Sequence, residues 1–387
     1  MLFFLSKEIN YIQIGTLYAI REITINILEI PTGAFADLLG RRKTMMVSFL
    51  AYIFSFVLFY FSTSFGILIF AMLAFSFGDA MRSGTHKAMI FDYLQLHNWS
   101  SEKIKYYGHT RSWSQLGSAI SSLAAAGIVI FTGNYQIVFL VSALPYIINF
   151  VLVWSYPNIL DGPIKMKHSL DLSGKIRQFD KEIKTSLKSR SIWIVYLNIA
   201  TYQGYFKAIK DYLQPTILVA VSASVIFSSD NAELNAAGII GVVYFIIYLI
   251  SSFASRQSGK IVAWAKSSEK VINITLILGL LAGIFSGVLI STDFSGFAIV
   301  VFILVFVVQN IRKPVGSSLV ADKFNSDILA TGLSIQSLLD SLLTAIFAIA
   351  MGFLAEWYGL GNALLILGLS LLIISQLLRI RKADRSN

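Results

Sequence analysis

Charged side chains interrupt several long apolar stretches of this chain. An ionisable group in such a stretch is costly unless it faces a partner or water, so each is a candidate for a functional role. Asp79 precedes Arg82 by three residues and Lys207 precedes Asp211 by four, the spacings that place side chains on one face of a helix. The remaining charged or amide candidates in apolar stretches are Arg21, Glu22, Gln309, Asn310 and Asp340.

Each of these groups also has a purely structural interpretation. Asp79 with Arg82, and Lys207 with Asp211, can neutralise each other within one helix without any further role. Long cationic side chains near the end of an apolar stretch extend to the polar interface, and we expect this of Arg312 and Lys313. The residue types alone leave both interpretations open.

The sequence lacks the residue patterns of common enzymes. The histidines do not have the spacing of metal ligands, and neither a G-x-S-x-G motif nor a phosphate-binding loop occurs. The chain has no cysteine, which excludes thiolate chemistry and disulfides. We therefore expect no enzyme activity, no cofactor and no bound metal.

Apolar stretches long enough to cross a lipid bilayer recur along nearly the whole chain. Hydrophobic residues make up 56% of the sequence and charged residues 13%, well below the roughly 25% charged residues of soluble domains. A span takes about 20 helical residues, and continuous apolar runs favour helices over barrel strands. We predict an all-α polytopic membrane protein. Its eleven predicted spans are 11–36, 44–64, 66–93, 108–132, 135–156, 191–222, 236–254, 270–291, 295–318, 328–354 and 361–379.

The distribution of cations predicts which side of the membrane each connection occupies. The connections near 62–66, 132–135, 223–235, 291–296 and 355–361 contain no Lys or Arg, whereas cations collect at the alternate connections. This is the positive-inside pattern, so we expect a cytoplasmic C-terminus. The net charge of +10 thus reflects topology, and we expect no nucleic-acid partner.

A polar interval at 157–190 divides the chain into a bundle at 1–156 and a six-helix bundle at 191–387. Within it, helical spacing of apolar residues predicts a surface helix over 173–187, with a solvated linker as the alternative. Only five spans precede the interval, and the first enters from the outside. We infer that MLFFL is the outer end of a first helix that is largely missing because the sequence starts late; a genuine eleven-helix protein is the alternative.

The string GAFADLLGRRK at 33–43 follows the first predicted span. It fits the pattern G-x-x-x-D-x-x-G-R-R with Gly33, Asp37, Gly40, Arg41 and Arg42. Gly33 permits the close approach of another helix, and Asp37 can face the positive N-terminal end of a neighbouring helix. The cations that follow place this end of the span on the cytoplasmic side.

This string resembles the loop between helices 2 and 3 of the major facilitator superfamily. The segments EIPTGAFAD, SGTHKAMIFDYL, GHTRSWSQLGSAI and ATGLSIQSLLDSL also look like counterparts in prokaryotic members. The resemblance therefore implies a location in a prokaryotic cytoplasmic (inner) membrane. The resemblance implies two pseudo-symmetric bundles, here of five and six helices, and a gating motif in which Asp37 faces a helix beginning near 326–331 and Arg41 pairs with Asp92. The corresponding loop SRQSGKIVAWAK departs from the pattern because it lacks the aspartate.

The resemblance also implies a function, the transport of a small solute by alternating access. It places Asp79 and Arg82 on helix 4 and Lys207 and Asp211 on helix 7, with Gln309 and Asn310 on helix 10, all facing a central cavity. Mixed charges favour a polar, anionic or zwitterionic solute, whereas the nearby aromatic residues leave an amphipathic, drug-like solute open; these are Tyr202, Tyr205, Phe206 and Tyr212. The absence of a nucleotide-binding motif favours an ion gradient as the energy source. The expected proton-coupling carboxylates are Asp340 and Glu22. We expect the protein to be a monomer. A transport-inactive relative, such as a sensor, a scaffold or a decayed transporter, is the alternative.

Overall fold

The structure is a computed structural model that describes residues 1–99, 103–161, 190–223, 232–321 and 329–380. All regular secondary structure in these ranges is helical, which confirms the predicted all-α class. Helices lie at each of the eleven predicted spans. The predicted surface helix over 173–187 lies outside the described residues.

The described residues up to 161 form six α-helices. They are α1 (Leu2–Leu5), α2 (Tyr11–Leu39), α3 (Arg41–Tyr60), α4 (Phe65–Leu96), α5 (Lys103–Thr132) and α6 (Gln136–Trp154), and a 3-10 turn follows at Asn158–Asp161. Gly40 alone separates α2 from α3, with a φ of 90°. Only glycine adopts this conformation readily, so the second glycine of the GAFADLLGRRK string has a structural reason of its own.

Within the described residues, the second part of the chain forms seven further α-helices. They are α7 (Arg190–Ile209), α8 (Leu213–Ser222), α9 (Ala232–Ala265), α10 (Ser268–Ser291), α11 (Ser295–Ala321), α12 (Leu329–Tyr358) and α13 (Leu360–Ser375).

The predicted span at 191–222 is not one continuous helix. A 3-10 turn at Lys210–Tyr212 separates α7 from α8. Pro215 lies in the first turn of α8 and has no N–H to donate. In a continuous α-helix its ring would clash with the carbonyl of Asp211, four residues earlier, so the helix is interrupted there. The prediction that Lys207 and Asp211 share a helix is therefore wrong, because Asp211 lies in the 3-10 turn.

Eight of the described helices are long and apolar enough to cross a membrane. These segments are Arg41–Tyr60, Phe65–Ser83, Trp113–Thr132, Gln136–Trp154, Leu234–Ala265, Ser268–Ser291, Ser295–Val320 and Ile335–Tyr358. The apolar helix Leu360–Ser375 is shorter. The arrangement of five and six crossings stays a prediction.

The chain forms two compact units. One contains Met1–Tyr18, Ser118–Ala126 and Arg177–Asn387, and within it α10 packs against α11 and α13 while α7 packs against α12. The other contains Ala19–Gly117 and Gly127–Ile176, and within it α3 packs against α4 and α6. The domain boundaries predicted from the polar interval stay predictions.

Candidate functional site

The charged pair of α4 is held by a tyrosine of α3. The Tyr52 hydroxyl donates a hydrogen bond to Asp79 Oδ1 at 2.8 Å, and Arg82 Nε donates to the same hydroxyl oxygen at 3.2 Å. Arg82 Nη2 completes the triangle with Asp79 Oδ1 at 3.0 Å. The predicted proximity of Asp79 and Arg82 is present, and Tyr52 fixes the position of both.

Buried serines of α3 set the register that brings Tyr52 to this pair. Ser48 Oγ donates to the carbonyl of Gly78 at 2.6 Å, and Ser55 Oγ donates to the carbonyl of Ala71 at 2.8 Å. Ser48, Tyr52 and Ser55 recur at helical spacing, so they share the face of α3 that meets α4. Short side chains at these positions let the two backbones approach while their polar groups remain hydrogen-bonded.

An aromatic cluster surrounds the Tyr52 ring. Ring centroids lie 5.1 Å from Tyr52 to Phe75, 4.8 Å from Tyr52 to Tyr146, and 5.2 Å from Phe56 to Tyr146. The guanidinium carbon of Arg82 is 5.9 Å from the Tyr52 centroid, within the range of a cation–π contact. The cluster locks the tyrosine and leaves the charged groups at its edge.

The Asp79–Arg82 pair keeps unused hydrogen-bonding capacity. Its side chains are 30% and 45% exposed, respectively. Within the described residues, hydrogen bonds engage Asp79 Oδ1 and the Nε and Nη2 atoms of Arg82, which leaves Asp79 Oδ2 and Arg82 Nη1 open. An acceptor and a donor of opposite charge thus lie side by side, an arrangement that suits a solute carrying both kinds of group.

A pair of amides joins α7 to α11. Gln309 Nε2 donates a hydrogen bond to Gln203 Oε1. Asn310, in contrast, donates its amide to the carbonyl of Phe306 in its own helix at 2.9 Å. The two predicted amide candidates of α11 therefore have different immediate partners, and Gln203 is a partner that the prediction did not assign.

The cations of α7 and of the following turn lie close to its C-terminal end. Lys207 is half-buried in the last turn of α7, where a positive charge interacts favourably with the helix dipole. Asp211 makes an ion pair with Lys210 at 3.2 Å. Tyr244 of α9 donates its hydroxyl hydrogen to the carbonyl of Lys210 at 3.2 Å, which satisfies a backbone group at the helix break.

The remaining carboxylates are held by neighbours on their own helices. Glu22 is only 2% exposed and accepts a hydrogen bond from Arg21 Nη2 at 2.7 Å. Asp340 accepts from Gln336 Nε2, one turn earlier on α12. The described ranges contain no group of three or more His, Cys, Asp or Glu side chains that could hold a metal ion.

The GAFADLLGRRK string is described only in part. Arg42 Nη1 donates a hydrogen bond to the carbonyl of Tyr156 at 2.6 Å, which ties the start of α3 to the segment after α6. Gly33, Asp37 and Asp92 lie on described helices, but their side-chain surroundings fall outside the described part of the structure. The pairing of Arg41 with Asp92 and the position of Asp37 stay predictions.

Arg312 lies inside its unit, and the expectation that it reaches the polar interface is wrong. Arg312 is only 3% exposed. Its guanidinium donates hydrogen bonds to Thr275 Oγ1 at 3.0 Å, to Asn198 Oδ1 at 2.9 Å and to the Asn198 carbonyl at 3.1 Å. It also donates to the carbonyl of Ile272 and lies 4.9 Å over the ring of Tyr202. A full set of acceptors offsets the cost of burying the cation.

Two asparagines extend this network to the end of the described chain. Asn198 Nδ2 donates to the carbonyl of Leu378 at 2.8 Å and to Asn273 Oδ1 at 3.2 Å. Asn273 in turn accepts from the N–H of Ile380 at 3.0 Å and donates to its carbonyl at 2.8 Å. The network thus connects α7, α10, α11 and the segment after α13. Asparagines within apolar stretches are the sequence signal that could have indicated it.

Long apolar helices along nearly the whole chain define a polytopic membrane protein. The family model of the Major Facilitator Superfamily matches residues 1–310, so the chain belongs to that superfamily. The predicted resemblance is thereby confirmed. The superfamily and the relatives described next are transporters, which supports transport as the general function.

Known proteins are similar to this chain over nearly its whole length. An uncharacterized MFS-type transporter of Bacillus subtilis (strain 168), YxaM, is 23% identical over 382 residues, covering 96% of this chain and 88% of the relative. The crystal structure of the nucleoside transporter NupG (a mutant) superimposes with a TM-score of 0.78 at 15% identity, covering 97% of this chain and 92% of NupG. A POT family transporter in complex with 5-aminolevulinic acid gives a TM-score of 0.71 at 14% identity, covering 96% and 88%.

Proposed function

We propose that the protein is a secondary active transporter that moves a small polar solute across the cytoplasmic membrane by alternating access. The observation that carries the proposal is the Asp79–Arg82 pair, partly exposed and held in place by Tyr52. A charged pair kept only for neutralisation gains nothing from exposing an open acceptor and an open donor. In a spanning helix, such groups are expected where a polar solute passes.

The chemistry of the pair favours a solute with a donor and an acceptor close together. Asp79 Oδ2 can accept from an ammonium or an N–H, and Arg82 Nη1 can donate to a carboxylate or a carbonyl. Amino acids, short peptides and nucleosides carry such groups. The solutes named for the structural relatives, nucleosides and 5-aminolevulinic acid, therefore belong in the first panel to be tested.

Proton coupling is proposed at Asp340, with Glu22 as the second candidate. The burial of Glu22 and the hydrogen bond from Gln336 to Asp340 support this proposal, because protonation of either carboxylate would change its local hydrogen bonding. The gating motif of Asp37, and of Arg41 with Asp92, is proposed to hold the cytoplasmic ends of helices together in one state. The positive-inside pattern supports a cytoplasmic C-terminus.

The proposal is tested by solute flux in proteoliposomes containing the purified protein. Asp79→Asn and Arg82→Gln should each reduce the uptake rate of a transported panel solute at least about tenfold, because each removes a charge that binds the solute. Asp293→Asn, an exposed residue at the turn between α10 and α11, is the matched control and should transport normally. Flux that is absent for the whole panel would favour the transport-inactive alternative.

A further inference from the structure

The first turn of α2 is capped by a carboxylate from another helix. Asn10 and Gln13 form a reciprocal cap, in which Gln13 N–H donates to Asn10 Oδ1 at 2.8 Å and Asn10 N–H donates to Gln13 Oε1 at 3.1 Å. The N–H of Tyr11 remains, and it donates to Glu356 Oε2 at 2.9 Å, close to the end of α12. A negative charge at this position also interacts favourably with the positive end of the α2 dipole.

Two glycines bring the backbones of α2 and α12 into contact beside this cap. A Cβ on Gly15 would lie 2.5 Å from the carbonyl oxygen of Ala348, and a Cβ on Gly352 would lie 2.6 Å from the carbonyl oxygen of Tyr11. Any larger residue at either position would force the helices apart. The crossing is therefore possible only while both positions are glycine.

An aromatic stack extends the contact to the break between α7 and α8. The rings of Tyr11 and Tyr212 are stacked with centroids 5.8 Å apart and an interplanar angle of 24°. Tyr212 is the last residue of the 3-10 turn that interrupts the predicted span. Short 3-10 segments between α-helices often act as hinges. The Tyr212 hydroxyl is buried and has no hydrogen-bond partner among the described residues.

The contact involves only part of α2. Met1–Tyr18 belongs to the same compact unit as α12, whereas the helix from Ala19 onward belongs to the other unit. For α2 to move as one body, its first turns must leave α12. Contacts that hold those turns would therefore oppose such a movement of the whole helix.

We propose that Glu356, the Gly15–Gly352 crossing and the Tyr11–Tyr212 stack form a latch that closes the outer end of the transporter. The inference rests on the proposed alternating-access function and on the charge pattern that assigns the connection at 355–361 to the outside. The latch forms when the Glu356 carboxylate caps α2, and it opens when this hydrogen bond and the glycine contact are lost. Its opening is a step of the transport cycle.

The latch can be followed with one introduced cysteine, because the natural chain has none. Ile14 is fully buried in the first turns of α2 and is adjacent to Gly15 of the crossing, so we expect a maleimide to reach Ile14→Cys faster when these turns leave α12. Labelling is done in membrane fragments open on both sides, so that sidedness does not affect the rate. Thr63→Cys, on an exposed connection, is measured in every background to correct for reagent reactivity.

Glu356→Ala should speed the labelling of Ile14→Cys by about threefold to tenfold, the range expected for loss of a partly exposed charged cap. Gly352→Ala should speed it further, because the added Cβ cannot coexist with the Tyr11 carbonyl. Asp293→Asn is the control and should leave the rate unchanged, because it removes an acid elsewhere on a connection assigned to the outside.

Unchanged labelling in both Glu356→Ala and Gly352→Ala would overturn the latch, even in a protein that transports. Faster labelling in both variants of a protein that transports no solute would retain the latch and refute the proposed function instead. Thermal unfolding of each variant in detergent separates opening of the latch from loss of the fold. If Gly352→Ala is unstable, the labelling rates of Ile14→Cys in Glu356→Ala and in Asp293→Asn are compared instead. Equal rates in these two variants would overturn the latch.

Discussion

Replacing the buried Arg312 by glutamine should destabilise the unit that contains α7, α10 and α11. The guanidinium donates to four acceptors, namely Thr275 Oγ1, Asn198 Oδ1 and two backbone carbonyls. Hydrogen bonds from a charged donor contribute about 1.5–3 kcal/mol each, but the cost of burying the cation offsets much of their sum. The shorter glutamine can satisfy at most two of the four acceptors, so we expect a net loss of about 3–5 kcal/mol.

The assay is thermal unfolding of the purified protein in detergent, followed by the loss of the monodisperse chromatographic peak. A loss of this size should lower the apparent midpoint by about 3–10 °C in a chain of this length. Lys313→Gln is the matched control, because it is the adjacent residue and is exposed. Midpoints of Arg312→Gln and Lys313→Gln within about 1 °C of each other would refute the reasoning that Arg312 holds the network together.

Two further predictions concern the proposed solute and proton sites. Tyr52→Phe keeps the packed ring but removes both hydrogen bonds to the Asp79–Arg82 pair, so the half-saturating solute concentration should rise about threefold to tenfold while the unfolding midpoint changes little. A lower midpoint with unchanged affinity would mean that Tyr52 is only structural. Asp340→Asn cannot take up a proton and should abolish solute accumulation driven by a pH gradient while downhill exchange continues, measured in proteoliposomes. Gradient-driven accumulation in this variant would exclude Asp340 as the coupling site.

The helices could be predicted from the sequence because their length and apolar composition are local properties. The break before α8 was missed, although Pro215 is a local signal that an α-helix cannot continue unchanged through Asp211. Within the predicted span at 191–222, this break separates Lys207 in α7 from Asp211 in the 3-10 turn. Boundaries of this kind depend on one residue, whereas the existence of a span depends on about 20.

The partners of polar groups could not be predicted, because they come from distant helices. Whether Arg312 extends to the interface or turns inward depends on Asn198 of α7 and Thr275 of α10, whose positions follow from packing. No local sequence feature distinguishes Tyr52 from the other aromatic residues in the spans. Its contact with Asp79 depends on the register of α3 against α4. The spacing of Asp79 and Arg82 is local, and this pair was predicted.

The central claim, that a Tyr52-held charged pair binds a transported solute, is tested most directly by flux in proteoliposomes at matched protein density. For a solute that the parent protein transports, Asp79→Asn should reduce the initial rate at least about tenfold, and Asp293→Asn should not change it. Equal initial rates for the parent protein, Asp79→Asn and Asp293→Asn would contradict the claim.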